Sequence, residues 1–254
     1  MHTSLFHFKL ISIFLLLIMT LISGYLPFHQ KFKNTQNSLF PSNFSWALAF
    51  SQGVFLGAGL IHLLGDASSQ FLTLGYQYPF AFLLAGLAFL LLWIFEESIP
   101  ITSMALIGTL MLSIHSLLEG SALGLTNNLV MAGIILTAIL AHKWAAGFAI
   151  AVKINQSHYG FLSRVFLFLI FAFMTPLGIL IGTAIHHDFS QAPLLEPCFN
   201  SLAAGTFIYL GISHGPENPN KNLDKNPKDK LHHLQYFSLL LIGFGLMAVV
   251  AIWT

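Results

Sequence analysis

Residues 102–126, TSMALIGTLMLSIHSLLEGSALGLT, are followed two asparagines later by residues 129–152, LVMAGIILTAILAHKWAAGFAIAV. Each run matches the roughly 20 apolar residues needed to cross a bilayer's hydrocarbon as a helix. Near the middle of the first stand His115 and Glu119, and near the middle of the second His142 and Lys143. A soluble helix would put such groups on a wet face. These helices have no wet face, so their ionisable residues must point into a protein interior or a water-filled path.

Similar apolar runs lie outside this pair, at about 10–28, 44–66, 77–95, 161–185, 198–215 and 232–253. The chain therefore reads as an all-α integral membrane protein, a single bundle of eight transmembrane helices. Composition agrees. Asp, Glu, Lys and Arg make up 7% of the 254 residues and hydrophobic residues 56%, whereas soluble domains carry about a quarter charged residues. Eight crossings leave no room for a soluble domain. Lys9 followed by the apolar run Leu10 to Phe28 could also open a signal peptide, but that run is long for one and closes on no small-x-small cleavage site. It is taken as the first span. The spacers are polar: Gln30 to Asn37, Glu96-Glu97 to Pro100, the turn Thr126-Asn127-Asn128, and Gly215 to Lys230 with its three prolines.

Basic residues orient the bundle, because loops that keep Lys and Arg stay in the cytoplasm. With eight spans, one side holds only Lys9, and the other holds Lys31, Lys33, Lys153, Arg164, Lys221, Lys225, Lys228 and Lys230. Lys143 lies inside a span. Both termini therefore belong on the non-cytoplasmic side, an orientation that suits the plasma membrane. An odd number of spans would split this asymmetry.

Two pairs, His62/Asp66 and His115/Glu119, are spaced i, i+4. At 3.6 residues per turn both members share a helix face about 6 Å apart in rise, so an imidazole nitrogen and a carboxylate oxygen can converge on one metal ion. Ser116 could add an oxygen ligand or orient one. A lone intramembrane histidine is more often a packing residue, but two such pairs plus His142 favour metal. Residues 115–122 and 142–149 also echo one another, with His, Gly and Ala at matching offsets. Gly120, Ala122, Gly147 and Ala149 are small enough for close helix approach, which predicts that the two spans pack face to face on a shared midplane site. His186-His187 and His232-His233 read as solvated pairs at loop boundaries.

Several exclusions follow. The single cysteine, Cys198, rules out an internal disulfide and a thiolate cluster. There is no glycine-rich nucleotide loop, so any passage of an ion through such a site would run down a gradient or couple to protons carried by Asp66, Glu119 and the histidines. No basic stripe interleaved with aromatics suggests nucleic acid. No resident cofactor is expected, and the partners are the lipid bilayer and divalent metal ions.

The ordered motifs resemble the ZIP zinc/iron permease family. They are Gly53-Val-Phe-Leu through His62-Leu-Leu-Gly65-Asp66-Ala67, then Ile114-His115-Ser116 through Glu119-Gly120 and Ala122-Leu-Gly124-Leu. His142-Lys143 with Gly147-Phe-Ala, Thr175-Pro176-Leu-Gly178 and Ala204-Gly205-Thr206-Phe207-Ile-Tyr209 complete the set. The resemblance implies a zinc, or iron(II), transporter working toward the cytoplasm, often as a homodimer. It makes His115, Glu119 and His142 metal ligands with Ser116 beside them, and puts Lys143 in the space of a second metal. It also places His62 and Asp66 along the pathway, and Pro176 is a candidate hinge. Two departures stand out: Ala146 replaces a usual glutamate, and His214 replaces a usual acid. With Glu119 ionised and Lys143 protonated, the site carries no net counter-charge for a divalent ion. Two alternatives stay open on this ground. One is a transport-inactive relative with a Lys143–Glu119 pair in place of metal. The other is an intramembrane zinc-dependent hydrolase with Asp66 as base.

Overall fold

The computed structural model describes residues 2–29, 45–98, 104–189, 193–212 and 227–253. Among these, regular structure is helical throughout. Helix α1 runs His2–His29, α2 Ser45–Gly57, α3 Leu64–Thr73, α4 Phe80–Ser98 and α5 Met104–Leu125. Then come α6 Leu129–Gln156, α7 Phe161–Phe189, α8 Leu195–Ile212 and α9 Pro227–Val250. Helices α2 and α3 are one rod joined by a π-helical segment, Ala58–Leu63, whose wider turn closes with the Leu64 N–H on the Gly59 carbonyl.

Six of these rods are long and apolar enough to cross a membrane: Ser4–His29, Trp46–Thr73, Phe80–Ser98, Ala105–Leu125, Leu129–Gln156 and Phe161–Ile185. Helix α8 and the apolar part of α9, Leu234–Val250, are shorter. Several helices outrun the apolar runs that predict them. α1 begins eight residues earlier than expected, α3 continues to Thr73, and α7 and α9 extend over the histidine pairs at 186–187 and 232–233, whose side chains lie outside the described set. Polar residues at a helix end sit where headgroups and water satisfy them, so hydropathy marks the buried middle and not the helix end.

Local signals explain the punctuation. Asn128 Oδ1 accepts from Val130 N at 2.8 Å and caps α6, turning the two-asparagine spacer into a tight corner. Gly75, with φ +88°, ends α3 in the left-handed conformation that costs glycine nothing. Hydroxyls inside the apolar helices bond back one turn, as Thr20 does to Leu16, Ser51 to Ala47 and Thr109 to Ala105, so none of these three needs water. Large apolar side chains such as Ile11, Phe14, Phe166 and Leu162 face outward, which only a lipid surround makes favourable.

The helices form two groups. In one, α1 packs on α6 and α7, and α5 packs on α6 and α7. In the other, α2 packs on α8 and α9, and α8 also packs on α3 and α4. The groups meet along α2–α6, α5–α8 and α6–α9. Within the first group, α5 and α7 are locked by glycines. A Cβ on Gly178 would strike the Leu117 carbonyl and lie 2.9 Å from Ser121 N, and one on Gly120 would strike the Thr175 carbonyl. Gly124 and Gly182 repeat the contact one turn on. The expectation drawn from the internal echo holds for the packing of α5 on α6 and is corrected for the glycines. Gly120 serves the α5–α7 contact and Gly147 meets Ser23 and Thr20 of α1, so the shared glycines do not press α5 against α6. Pro176 sits inside the α5–α7 contact, in a helix that runs on to Phe189.

Candidate metal centre

His115 is the twelfth of the 22 residues of α5, and His142 is the fourteenth of the 28 of α6. Both lie near mid-helix, about 16 Å and 20 Å of rise from their helix starts. One turn beyond His115, Glu119 aims at the same point. His142 Nε2 hydrogen-bonds Glu119 Oε1, and His115 Nε2 lies 3.9 Å from that oxygen. The three side chains each offer one ligand atom, all within 4.8 Å of one another. They are the group of His, Cys, Asp and Glu so gathered among the described residues.

The group is buried: His115 is 4% exposed and His142 1%. It is also short of partners. Neither ring nitrogen of His115 has a hydrogen bond, nor do His142 Nδ1 and Glu119 Oε2. Leaving a buried polar atom unpaired costs about 1–3 kcal/mol, and a cation taking one nitrogen from each imidazole and a carboxylate oxygen would pair His115 Nε2 and Glu119 Oε2. Nitrogen and carboxylate donors at this spacing suit zinc, and iron(II) after it, better than magnesium or calcium.

Lys143, the next residue, is 1% exposed. Its Nζ donates to Ser116 Oγ at 2.6 Å and to Thr175 Oγ1 at 2.7 Å, and lies 4.4 Å from the centre of the Phe171 ring. Ser116 Oγ is thus an acceptor for the Lys143 ammonium beside the three donors. The Lys143–Glu119 pair of the inactive alternative is not formed, because Glu119's ionic contacts are the two histidines. Thr175, quoted above only within the Thr175-Pro176-Leu-Gly178 motif, is the second acceptor for this ammonium.

His62 lies in the π segment and bonds Asp66 one turn on, Nδ1 to Oδ2 at 2.9 Å, with the Asp66 side chain 34% exposed. Further along the same face, Gln70 Nε2 donates to Glu196 Oε1 of α8 at 3.0 Å. Asp66 is thus paired with His62 and not gathered with the three donors, which leaves the hydrolase alternative without its base at the site. His214 lies outside the described residues. Ala146 is buried one turn beyond His142. Phe207 of α8, quoted only as part of a motif above, covers the cluster: its ring centre is 4.2 Å from that of His115 and 5.3 Å from that of His142.

With this geometry in place, comparison with known proteins is informative. The family model described as ZIP zinc transporter matches residues 6–103 and 97–251. Protein zntD of Dictyostelium discoideum is 37% identical over 145 residues, 56% of this chain and 20% of its own length. Zinc transporter ZIP1 of Takifugu rubripes is 33% identical over 162 residues, 62% of this chain and 49% of its own. Zinc transporter ZIP2 of Mus musculus is 25% identical over 267 residues, 80% of this chain and 83% of its own. The matched stretches thus span half or less of the first two relatives.

Proposed function

Because the chain belongs to the ZIP zinc transporter family, an integral multi-pass membrane family, we propose that it carries a divalent cation, zinc or iron(II), toward the cytoplasm through a site formed by His115, Glu119 and His142. One observation carries this: two buried imidazoles and a carboxylate, four of their polar atoms unpaired, converge at mid-helix in an apolar bundle. A packing role would leave those atoms paired with protein.

Eight crossings with both termini outside belong to the same proposal. Cross-helix bonds support it, since each joins helix ends that alternate crossings bring to one face. On one side Lys9 Nζ donates to the Gly124 carbonyl at 2.5 Å and Gln70 to Glu196. On the other, Asn155 donates to the Pro27 carbonyl, Tyr209 to Glu96 and Tyr236 to Gln52. Lys153 and Arg164 fall on that second side, the cytoplasmic one by the charge rule. Plasma-membrane residence and a homodimer are carried over on the family resemblance.

Cargo reaches a site this buried only if helices move. The α5–α7 glycine lock braces Pro176 on both sides, so we assign the motion to the boundary between the two helix groups and not to a hinge at Pro176. His62 and Asp66 then serve as a relay from the outer face. The test is zinc uptake into liposomes holding the purified protein, read by an enclosed zinc-sensitive dye, beside Glu119→Ala. Uptake lost in the variant supports the assignment. Equal uptake by both moves the cargo site elsewhere, and no uptake by either overturns transport.

A further inference from the structure

Resting on His115, Glu119 and His142 as the cargo site, we propose that Phe207 is its positioning and specificity-determining residue: one ring orients both imidazoles and limits how many ligands the bound cation can gather.

A histidine that ligates a metal is usually steadied by a hydrogen bond from its other ring nitrogen to a carboxylate or carbonyl. His115 has no hydrogen bond at either nitrogen, and His142 has none at Nδ1. Phe207 takes the place of those bonds. It stands edge-on at 77° against His142, a geometry that aromatic pairs favour, and lies in close tilted contact, at 48°, against His115. The ring is fully buried and backed on its far side. Phe55 is 5.2 Å away, centre to centre, and the π segment closes behind, where a Cβ on Gly59 would lie 3.2 Å from Phe207 Cβ. It comes from α8, in the helix group opposite to the donors.

The ring has no lone pair and fills space that water would otherwise take. A cation held by the three donors therefore has one side of its shell sealed. Zinc is satisfied by four ligands in a tetrahedron. Magnesium insists on six and keeps several waters, calcium takes six to eight, and manganese also favours an oxygen-rich octahedron. The seal thus rejects these ions for want of water, over and above the preference set by nitrogen donors. The donors alone would not do this, because a wet His–Glu–His site can complete an octahedron with solvent.

The experiment is cobalt(II) binding to the purified full-length protein, followed by visible absorption, in which four-coordinate cobalt absorbs intensely and six-coordinate cobalt weakly. Wild type is expected to give intense bands. Phe207→Ala opens the seal and is expected to give weak bands, with zinc-over-manganese preference in liposome uptake falling at least tenfold. Phe207→Leu keeps the seal and an apolar volume, guarding against simple misfolding. It should retain intense bands but bind zinc about three- to tenfold more weakly, the loss of a ring–ring contact. Cobalt bands and zinc affinity unchanged in both variants overturn the role of Phe207 alone. A wild type that binds no cobalt overturns the metal site itself, and the proposal with it.

Discussion

Replacing Glu119 with glutamine removes one charge while keeping the side chain's shape, and so isolates the electrostatic part of cation binding. Glu119 Oε1 sits 3.9 Å from His115 Nε2 and in hydrogen-bond contact with His142, so a cation held by both imidazoles lies within about 4 Å of the carboxylate. At an effective dielectric near 20, two unit charges at that distance attract by about 4 kcal/mol, and a divalent ion doubles this to about 8 kcal/mol. Part returns, because the amide oxygen still ligates and an empty neutral site is cheaper to keep dry. Removing one partner of a buried charged pair costs about 3–5 kcal/mol, which is the net expected here. The zinc dissociation constant of Glu119→Gln should therefore rise by about two to nearly four orders of magnitude. Titration calorimetry of the detergent-solubilised protein measures it. A variant within threefold of wild type would refute the reasoning, since no site that relies on one carboxylate could lose it so cheaply.

Ala146→Glu restores a carboxylate one turn from His142 and should tighten zinc binding at least tenfold in the same titration; an unchanged constant would mean this face of α6 does not look on the cation. Gly178→Leu must part α5 from α7 at the Leu117 carbonyl and should cost about 1–3 kcal/mol or more, read as a lower melting temperature. The control Gly133→Ala, with nothing within 4 Å of its added carbon, should be neutral or stabilising by up to about 1 kcal/mol. Lys9→Met removes the charged donor from the Gly124 carbonyl at the end of α5 and should destabilise by about 1.5–3 kcal/mol without changing zinc affinity. Asp66→Asn should slow uptake while leaving equilibrium zinc binding within about threefold of wild type, because Asp66 is not gathered with the three donors; a large affinity loss would bring it into the site.

The helical character of the chain was legible because hydropathy reports what the bilayer demands, and the centres of six spans fall where their apolar runs lie. His115, Glu119 and His142 were legible for a related reason: in an apolar run an ionisable side chain has few destinations. What stayed hidden depends on which helix faces which. Gly120 and Gly147 look alike along the chain, yet one meets α7 and the other α1. Ser116 is spaced to look at the cluster, and that the Lys143 ammonium takes it as an acceptor shows only once α5 and α6 are packed. Phe207 appeared only inside a motif, with no role of its own, because an aromatic in an apolar run is unremarkable until its neighbours are known. The π segment is equally silent, since a wide turn changes hydrogen-bond spacing and not composition.

That segment has a consequence for rotational phase. A π turn is an α turn with one residue added, and each residue in an α-helix advances the side chains by about 100°. On its N-terminal side, Gly53 and Gly57 are seated against the backbone of α9. On its C-terminal side, Gln70 is tied to α8. A uniform helix could align with one of these neighbours or the other, and the added residue lets a single rod align with both. Ala58–Leu63 is thus a vernier between two registers, and deleting one residue of it ahead of His62 would leave the first half seated while swinging His62, Asp66 and Gln70 together by about 100°, away from the contact Gln70 makes with α8.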